Sequence, residues 1–333
     1  MGSVGPVAFV LSGGANLGAA QAGMLEALLG AGIVPDLLVG TSIGAVNAAF
    51  MAAGPSPERA RALSDVWRRL SAEEFFPLHA AQVTRAILAG GLFSTAPLRR
   101  MLEREIPFRL IEEAATPLRI VATRCERRAD GPHSLRSMAA GLDRRAGQVA
   151  VPLRLAVERL DRTVETAGIP LRIVATAFER RAEEVFAAGP VLDALLASSA
   201  LPLVFPPYRI DGNVYVDGAL SEYVPLLPAL EAGARTIYVL SLRSAAARGK
   251  GATVDDDRRR DGVYRSLGNR FWRRESLTAA QAQAAHPTVR VVELPGLSVH
   301  PGLRDFSHLG DLIEQARHEA EAFLARGTIG PAA

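Results

Sequence analysis

The sequence predicts an α/β fold, with a three-layer α/β/α arrangement around a mostly parallel central sheet. Two short apolar runs, Pro6 to Ser12 and Asp36 to Val39, have the composition of strands that are buried on both faces. Each run is followed by a glycine-rich turn and then by residues with helical spacing, Ala19 to Leu29 after the first and Ala45 to Ala53 after the second. This β-α-β-α order implies parallel strands joined by right-handed crossovers, with helices covering the sheet.

Composition narrows the class of protein. A chain of 333 residues, 49% of them hydrophobic, can bury a large core, so a disordered protein is excluded and a single domain over 1–333 is expected. The one cysteine, Cys125, excludes an intrachain disulfide framework and a cysteine-based zinc site. A net charge of only +3 argues against a dedicated nucleic-acid-binding protein. No apolar run reaches the ~18 residues of a membrane span, and Met1 to Pro6 lacks the features of a signal peptide, so we expect a cytoplasmic protein.

The rest of the chain alternates between helical and strand-like patterns. Residues 56–115 are mostly helical and amphipathic, and we interpret them as a lid-like segment within the domain. A last amphipathic helix is predicted over 308–326. Further strands are predicted at 171–176, 208–210, 214–216, 236–242 and 288–294.

The first candidate for chemistry is Gly-Thr-Ser-Ile-Gly at residues 40–44, which matches the G-x-S-x-G pattern of a nucleophile elbow. In such an elbow a tight turn between a strand and a helix exposes the serine hydroxyl, and Gly40 and Gly44 remove side chains that would clash. Short Gly/Ser patterns also arise by chance, but here the flanking residues are the predicted strand and helix. We therefore predict that Ser42 is a nucleophile at the positive end of the following helix.

A second glycine-rich turn, SGGANLG at residues 12–18, ends the first predicted strand. It fits neither the dinucleotide-binding pattern nor the Walker pattern with its Lys-Ser/Thr pair. Backbone N–H groups of Gly13, Gly14 and Ala15 are better suited to stabilise a developing oxyanion, where each donor can be worth ~10²–10³ in rate. The alternative is a loop that merely turns into a helix, which is the weaker interpretation beside a nucleophile elbow.

An acidic residue, Asp217, follows the predicted strand at 214–216 and precedes a glycine. Asp211-Gly212, earlier in the chain, is typical of a hairpin turn that joins the strands at 208–210 and 214–216. Asp211 is therefore predicted to be structural, and Asp217 to be presented at the far end of the second strand.

Together these motifs resemble the patatin-like phospholipases, a family of serine lipid acyl hydrolases. The resemblance rests on four segments in order: SGGANLG at 12–18, GTSIG at 40–44, ASSALPLVFPP at 197–207 and DGA at 217–219. It implies a patatin-like fold in which Ser42 is the nucleophile, Asp217 is its base without a histidine, and the glycine-rich loop is the oxyanion hole. It also implies a lipid ester substrate, a phospholipid or lysophospholipid, and no cofactor or metal. Ala15 and Leu17 stand where many members have a third glycine and an arginine.

Three histidines offer a rival arrangement to this Ser-Asp dyad. His286, His300 and His308 follow Ser42 and Asp217, which is the Ser-Asp-His order of the α/β hydrolases. The first two precede prolines in predicted loops near strand ends, and the third lies at a predicted helix start, so we expect solvated or packed side chains. The dyad is preferred, and the triad is the alternative.

The sequence PLRIVAT occurs twice, at 117–123 and at 170–176, and Glu-Arg-Arg recurs at the same offset of 53 residues. A single pair is not a stacking array, which needs ~3 copies or more, so we interpret it as a local tandem duplication. The second copy is the one that leads into the ASSALP segment, as in the family order. We therefore expect the second copy to lie in the central sheet and residues 117–169 to be an insertion.

Residues 243–276 are predicted to form a basic surface segment. From Arg243 to Arg274 ten Lys/Arg stand against four Asp. Arginines interleaved with aromatic residues suit peripheral contact with an anionic membrane, although an ordinary solvated helix face is the alternative. The residues proposed for this contact are Arg265, Arg270, Phe271, Trp272, Arg273 and Arg274.

Two other functions stay open at this point. One is a non-lipid carboxylesterase that uses the same dyad. The other is a catalytically silent lipid-binding or regulatory protein on the same fold, against which the intact Ser42, Asp217 and glycine-rich loop argue.

Overall fold

The computed structural model describes residues 5–76, 91, 93–125, 181–202, 204–242, 277–297 and 304–326. Within these residues the chain forms one mixed sheet of eight strands with flanking helices. The strands are β1 (Val7–Leu11), β2 (Leu37–Thr41), β3 (Leu118–Cys125), β4 (Arg181–Phe186), β5 (Tyr208–Ile210), β6 (Asn213–Val216), β7 (Thr236–Leu240) and β8 (Arg290–Glu293). The helices are α1 (Gly18–Gly30), α2 (Ile43–Ala52), α3 (Pro57–Arg69), α4 (Ala72–Phe75), α5 (Ala96–Glu105), α6 (Val191–Ser198), α7 (Leu226–Glu231), α8 (Ala279–Ala285) and α9 (Leu309–Ala325).

The strand order is β5-β6-β3-β2-β1-β7-β8, with β4 paired to β3. The neighbours from β3 to β8 along this order are parallel, whereas β4, β5 and β6 join in antiparallel pairs. This confirms the predicted α/β class with a mostly parallel central sheet. The hairpin predicted around Asp211-Gly212 is also present, because β5 and β6 pair antiparallel on either side of it.

The side chains of β1 show how the sheet is covered on two faces. Phe9 and Leu11 lie in a larger core that includes residues of α1, α2, α3 and α9, while Ala8 and Val10 lie in a smaller core with α7 and α8. Successive side chains of a strand point to opposite faces, so these two cores lie on opposite sides of the sheet. The result is the predicted three-layer arrangement, with β1 buried throughout its last four residues.

The edge of β3 that faces away from β4 positions the candidate catalytic residues. β2 pairs with the first half of β3 in parallel, up to Val121, and β6 pairs with its second half in antiparallel, from Thr123 onward. Both strands lie on the edge opposite β4, which pairs with β3 over both halves. β2 and β6 therefore run toward each other, and their C-terminal ends meet beside Ala122. Since Ser42 follows β2 and Asp217 follows β6, the topology brings these two residues together.

The structure corrects the expectation about the repeat. The first copy, not the second, supplies β3 and pairs with β2, while residues 126–180, including the second copy, lie outside the described residues. Both copies read PLRIVAT, so hydrophobic pattern and strand propensity are the same for each and cannot tell which one pairs with β2. Cys125 and Arg181, the described residues on either side of that segment, are partners in the β3–β4 ladder. An inserted duplication remains a prediction. Because residues 118–125 form β3, the predicted insertion starts after β3 and not at residue 117.

The segment predicted as lid-like, 56–115, contributes three described α-helices. Of these, α3 buries Ala60, Leu63, Val66 and Trp67 in the larger core, and α5 buries Leu98, Met101 and Leu102 there. The lid-like role stays a prediction, and residues 77–90 lie outside the described residues. The basic segment 243–276, with all six residues proposed for membrane contact, also lies outside them. None of the described helices combines the length and the apolar character that a membrane crossing requires.

Candidate active site

Ser42 lies in a strained turn between β2 and α2. Its φ of 54° and ψ of −129° lie outside the regions that a residue with a side chain normally adopts. The turn is tight on both sides: a Cβ at Gly40 would lie 2.5 Å from the Gly44 carbonyl oxygen, and a Cβ at Gly44 would lie 2.4 Å from the Leu11 carbonyl oxygen. Side chains at these two positions would clash with backbone atoms, which explains the Gly-x-Ser-x-Gly spacing.

The carboxyl group of Asp217 lies next to the Ser42 hydroxyl. Ser42 Oγ donates a hydrogen bond to Asp217 Oδ2 over 2.5 Å, and the N–H of Ala219 donates to Oδ1 over 2.9 Å. Asp217 is only 2% exposed, and this burial raises its pKa to about 6 even though both hydrogen bonds favour the ionised form. The carboxyl group is thus held by two donors in a dry environment, with one of them the hydroxyl of Ser42.

Gly218, immediately after the acid, allows this approach. A Cβ on Gly218 would lie 2.1 Å from the carbonyl oxygen of Val121 in β3 and 2.3 Å from Thr41 Oγ1 in β2. The hydroxyl of Thr123 donates to the Asp217 carbonyl over 2.8 Å, which holds the turn against β3. The Asp-Gly order therefore serves the close contact between the turn after β6 and the end of β2.

The glycine-rich loop lies beside the Ser42–Asp217 pair. A Cβ on Gly13 would lie 3.4 Å from the Ser42 Cβ and 3.0 Å from the Ala219 Cβ. The three N–H groups predicted as oxyanion donors differ, because the Gly13 N–H already donates to the Tyr223 carbonyl over 3.1 Å. Within the described part of the chain, the Gly14 and Ala15 N–H groups have no such acceptor. The structure therefore leaves two of the three candidate donors available.

A buried hydroxyl orients one of these donors. Ser12 Oγ accepts the N–H of Leu242 and donates to the Gly13 carbonyl, each over 3.1 Å. Because the C=O and N–H of a trans peptide point in opposite directions, fixing the Gly13 carbonyl also fixes the direction of the Gly14 N–H. The φ values of Gly14 and Ala15, 154° and 52°, turn the chain sharply at this point.

Behind the loop, a chain of buried polar side chains ties it to the helical layer. Gln21 Nε2 donates to the carbonyls of Ser12 and Leu240 over 2.9 and 3.1 Å. Asn47 Nδ2 donates to Gln21 Oε1 over 2.9 Å, and Trp67 Nε1 donates to Asn47 Oδ1 over 3.1 Å. Buried polar groups that are satisfied in this way restrict the loop to one conformation.

Neither of the two described histidines of the rival triad, His286 and His308, hydrogen-bonds to Ser42 or to Asp217. His286 directly follows α8 and His308 directly precedes α9, and both are exposed; His308 Nδ1 lies 3.4 Å from Asp311 Oδ2. His300 lies outside the described residues. Among the described residues, the partners of the Asp217 carboxyl oxygens are the Ser42 hydroxyl and the Ala219 N–H.

Sequence reasoning missed one residue at the site, Ser198. Its hydroxyl accepts the N–H of Ser42 over 2.8 Å and donates to the Val121 carbonyl over 2.6 Å. The signal was present, because Ser198 belongs to the ASSALPLVFPP segment that carries the resemblance, but a serine within a helical pattern has no feature that predicts this contact. Its role emerges only from the packing of α6 against β3.

The model of the family described as patatin-like phospholipase matches residues 9–230, which include the glycine-rich loop, the elbow and the Asp-Gly turn. The chain belongs to the patatin-like phospholipase family. This is a family of lipid acyl hydrolases, and it was the family indicated by the four sequence segments.

Two solved structures are similar to the chain along nearly its whole length. VipD from Legionella pneumophila shares 13% identity at a TM-score of 0.39, covering 97% of this chain and 67% of that one. ExoU, in its heterodimeric complex with SpcU from the type III secretion system of Pseudomonas aeruginosa, shares 18% identity at a TM-score of 0.38, covering 96% of this chain. The chain spans about half the length of ExoU, with 51% of that protein covered.

Proposed function

We propose that the chain is a serine hydrolase that cleaves acyl ester bonds of phospholipids or lysophospholipids, with Ser42 as nucleophile and Asp217 as its base. The observation that carries this proposal is the hydrogen bond of 2.5 Å from Ser42 Oγ to the buried carboxyl of Asp217. A nucleophile and a base within hydrogen-bond reach are the signature of an activated serine. Membership of the patatin-like phospholipase family supports the substrate class.

In the proposed reaction, Ser42 Oγ attacks the ester carbonyl carbon while its proton passes to Asp217 Oδ2. The C–O bond to the alcohol then breaks, and the proton on Asp217 passes to the leaving oxygen. This leaves an acyl group on Ser42. It releases a lysophospholipid when the substrate is a phospholipid, and a glycerophosphodiester when the substrate is a lysophospholipid. A water molecule, deprotonated by the same carboxylate, then attacks the acyl carbonyl carbon. The C–O bond to Ser42 Oγ breaks, the proton on Asp217 returns to Ser42 Oγ, and the fatty acid leaves.

Burial of the acid makes this step feasible. A carboxylate with an ordinary pKa near 3.9 is a weak base toward a hydroxyl group. Burial raises the pKa of Asp217 to about 6, so the group is a stronger base that is still ionised at neutral pH. This supports a dyad in which no histidine is needed.

The negative charge that develops on the carbonyl oxygen needs hydrogen-bond donors. We assign this part to the N–H groups of Gly14 and Ala15, which lie in the loop beside Ser42. The Gly13 N–H already donates to the Tyr223 carbonyl and is therefore not one of the proposed donors. Two preorganised donors are the usual number in an oxyanion hole, and each contributes ~10²–10³ in rate.

The test compares hydrolysis of long-chain and short-chain esters. Wild-type protein is expected to release fatty acid from liposomes of phosphatidylcholine with anionic phosphatidylglycerol and from lysophosphatidylcholine, faster than it cleaves p-nitrophenyl acetate. Ser42→Ala is expected to lower the rate by ~10³-fold or more. Ser94→Ala serves as the matched control and should retain full activity, because it removes an exposed hydroxyl from the turn that precedes α5.

The alternatives correspond to distinct results. Cleavage of p-nitrophenyl acetate without cleavage of either lipid would favour a non-lipid carboxylesterase with the same dyad. Binding to the liposomes without turnover of any ester would favour a silent lipid-binding protein. Loss of activity on substitution of His286, His300 or His308 by alanine would favour the triad over the dyad.

We propose the peripheral membrane contact through the six named residues of 243–276 on sequence grounds, and retention of activity but loss of liposome binding after their substitution would support it.

A further inference from the structure

The hydroxyl group of Ser198 makes two hydrogen bonds at the centre of the site. Ser198 is the last residue of α6 and is 0% exposed. It accepts the N–H of Ser42 over 2.8 Å and donates to the carbonyl of Val121 over 2.6 Å. One side chain therefore links the backbone of the candidate nucleophile to the central strand β3.

Ser42 needs such an anchor for two reasons. Its φ of 54° is unfavourable for a residue with a side chain, and such a conformation persists only where the surrounding contacts hold it. Its N–H is also buried at the end of β2, and a buried N–H requires an acceptor. Ser198 Oγ is that acceptor, so it fixes the peptide group from which the Ser42 side chain projects.

The carbonyl of Val121 is the point at which both halves of the site meet. Besides Ser198 Oγ, it accepts the hydroxyl of Thr41, the last residue of β2, over 3.3 Å. Gly218, next to Asp217, passes so close to the same carbonyl oxygen that its Cβ would lie at 2.1 Å. The anchor of the serine and the turn that carries the acid thus share one atom of β3.

We infer that Ser198 is a positioning residue, which sets the direction of the Ser42 side chain so that its Oγ meets Asp217 Oδ2. The inference rests on the proposed function of that pair. Within the described part of the chain, the Ser198 hydroxyl hydrogen-bonds to the Ser42 N–H and the Val121 carbonyl, and not to the carboxyl group of Asp217 or the loop assigned to the oxyanion. It therefore acts through Ser42. It also commits the Ser42 N–H to the structure, which leaves oxyanion stabilisation to the loop.

The neighbouring residue supplies a matched control. Ser199 follows Ser198 directly, is 9% exposed, and its hydroxyl is buried without a hydrogen-bond partner among the described residues. Ser198→Ala and Ser199→Ala therefore remove the same group from adjacent buried positions. Only the first removes the bonds to Ser42 and Val121.

The experiment measures kcat and KM for ester hydrolysis, together with the maximal rate at which saturating fluorophosphonate labels Ser42. All measurements are made at a temperature at which circular dichroism shows that every variant is folded. Ser198→Ala is expected to lower kcat and the labelling rate at least tenfold with KM within twofold, while Ser199→Ala stays within twofold of wild type in all three. Equal kcat in the two variants, or a loss confined to KM, would overturn the inference.

If Ser198→Ala does not fold, Ser198→Cys replaces it, because the thiol keeps most of the packing but is a weak donor and acceptor. A kcat well below wild type is then expected, and an unchanged kcat would overturn the inference.

Failure of the proposed function gives a different result: wild-type protein that hydrolyses no ester and is not labelled at Ser42. Active wild type with an unaffected Ser198→Ala variant contradicts the positioning role alone.

Discussion

At the scale of single residues, the proposed role of Asp217 as a buried base predicts that catalysis depends on pH. The carboxylate must be ionised to accept the proton of Ser42, and burial raises its pKa to about 6. We expect kcat/KM of the wild-type protein to increase with pH through about 6 along a one-proton curve and then to level off. A pH–rate profile with a soluble ester measures this. An acidic limb centred near 4 would contradict the raised pKa of the Asp217 carboxyl.

The same burial affects the free energy of unfolding. Because the folded-state pKa of Asp217 lies above its unfolded value of 3.8, the folded protein binds the proton more tightly, and this contribution to stability is lost as pH rises from about 4 to about 6. Asp217→Asn removes the cost of the buried charge, and its amide can donate to Ser42 Oγ and accept from Ala219. We expect the variant to be more stable than wild type by on the order of 1–3 kcal/mol at pH 7.5, and inactive.

Urea denaturation at several pH values tests this, since the stability difference should disappear below about pH 4, where Asp217 is protonated in both states. A variant that is less stable than wild type at pH 7.5 would contradict the description of Asp217 as a buried, costly charge. Stability and activity are expected to change in opposite directions, which is typical of residues selected for function.

Residue identity at this site was largely accessible from sequence, and for a physical reason. The elbow and the Asp-Gly turn depend on glycines at fixed offsets, because Gly40, Gly44 and Gly218 have no room for a side chain, and such offsets are visible in the sequence. The occupation of the Gly13 N–H and the two bonds of Ser198 were not visible. Both depend on partners far along the chain, Tyr223 in one case and Val121 in the other.

At the scale of elements, the end-to-end arrangement of β2 and β6 on one edge of β3 determines whether Ser42 and Asp217 meet. The Asp-Gly turn must pass the Val121 carbonyl, which as a backbone atom of a central strand cannot move aside. Gly218→Ala places a Cβ 2.1 Å from that oxygen in the present structure, so the turn has to shift and carry Asp217 away from Ser42. We expect a loss of activity of ~10²-fold or more and a lower melting temperature.

Gly310→Ala is the matched control for this substitution. Gly310 lies in α9 with nothing within 4 Å of the added Cβ, and alanine in a helix is more favourable than glycine by roughly 0.5–1 kcal/mol. Activity equal to wild type and a melting temperature that is unchanged or higher are expected there. Retention of wild-type activity in Gly218→Ala would contradict the steric argument.

The element that sequence analysis assigned incorrectly is β3. Hydrophobic pattern predicts that PLRIVAT forms a buried strand, and that prediction holds for the first copy. Two identical segments compete for one place beside β2, and their own residues give no basis for choosing between them. Which copy pairs with β2 is decided by the chain connections around each copy and by the residues that follow it. These influences act at long range, so the local pattern does not contain them.

At the scale of the whole molecule, the repeat predicts that 53 residues can be removed. Deletion of 117–169 and deletion of 124–176 give the same shortened chain, because both copies read PLRIVAT. In that chain Phe178 takes the place of Cys125, which pairs with Arg181 in the β3–β4 ladder. Glu179 and Arg180 would then form a two-residue connection, the commonest length for a hairpin.

We therefore expect the shortened chain to fold cooperatively and to keep the esterase activity of the full chain within tenfold. Thermal unfolding followed by circular dichroism, together with ester hydrolysis, measures both. Deletion of 117–176 is the control: it removes both copies and with them the central strand, and it should not fold. A shortened chain that fails to fold would show that the extra residues belong to the core.

The central claim is that the hydrogen bond from Ser42 to Asp217 creates an activated nucleophile. The most direct measurement is labelling with a fluorophosphonate probe, followed by mass spectrometry of the intact protein and of its peptides. A single adduct on Ser42 is expected, absent in Ser42→Ala and formed much more slowly in Asp217→Asn. An adduct on a different serine, or ester hydrolysis by protein whose Ser42 stays unlabelled, would contradict the claim.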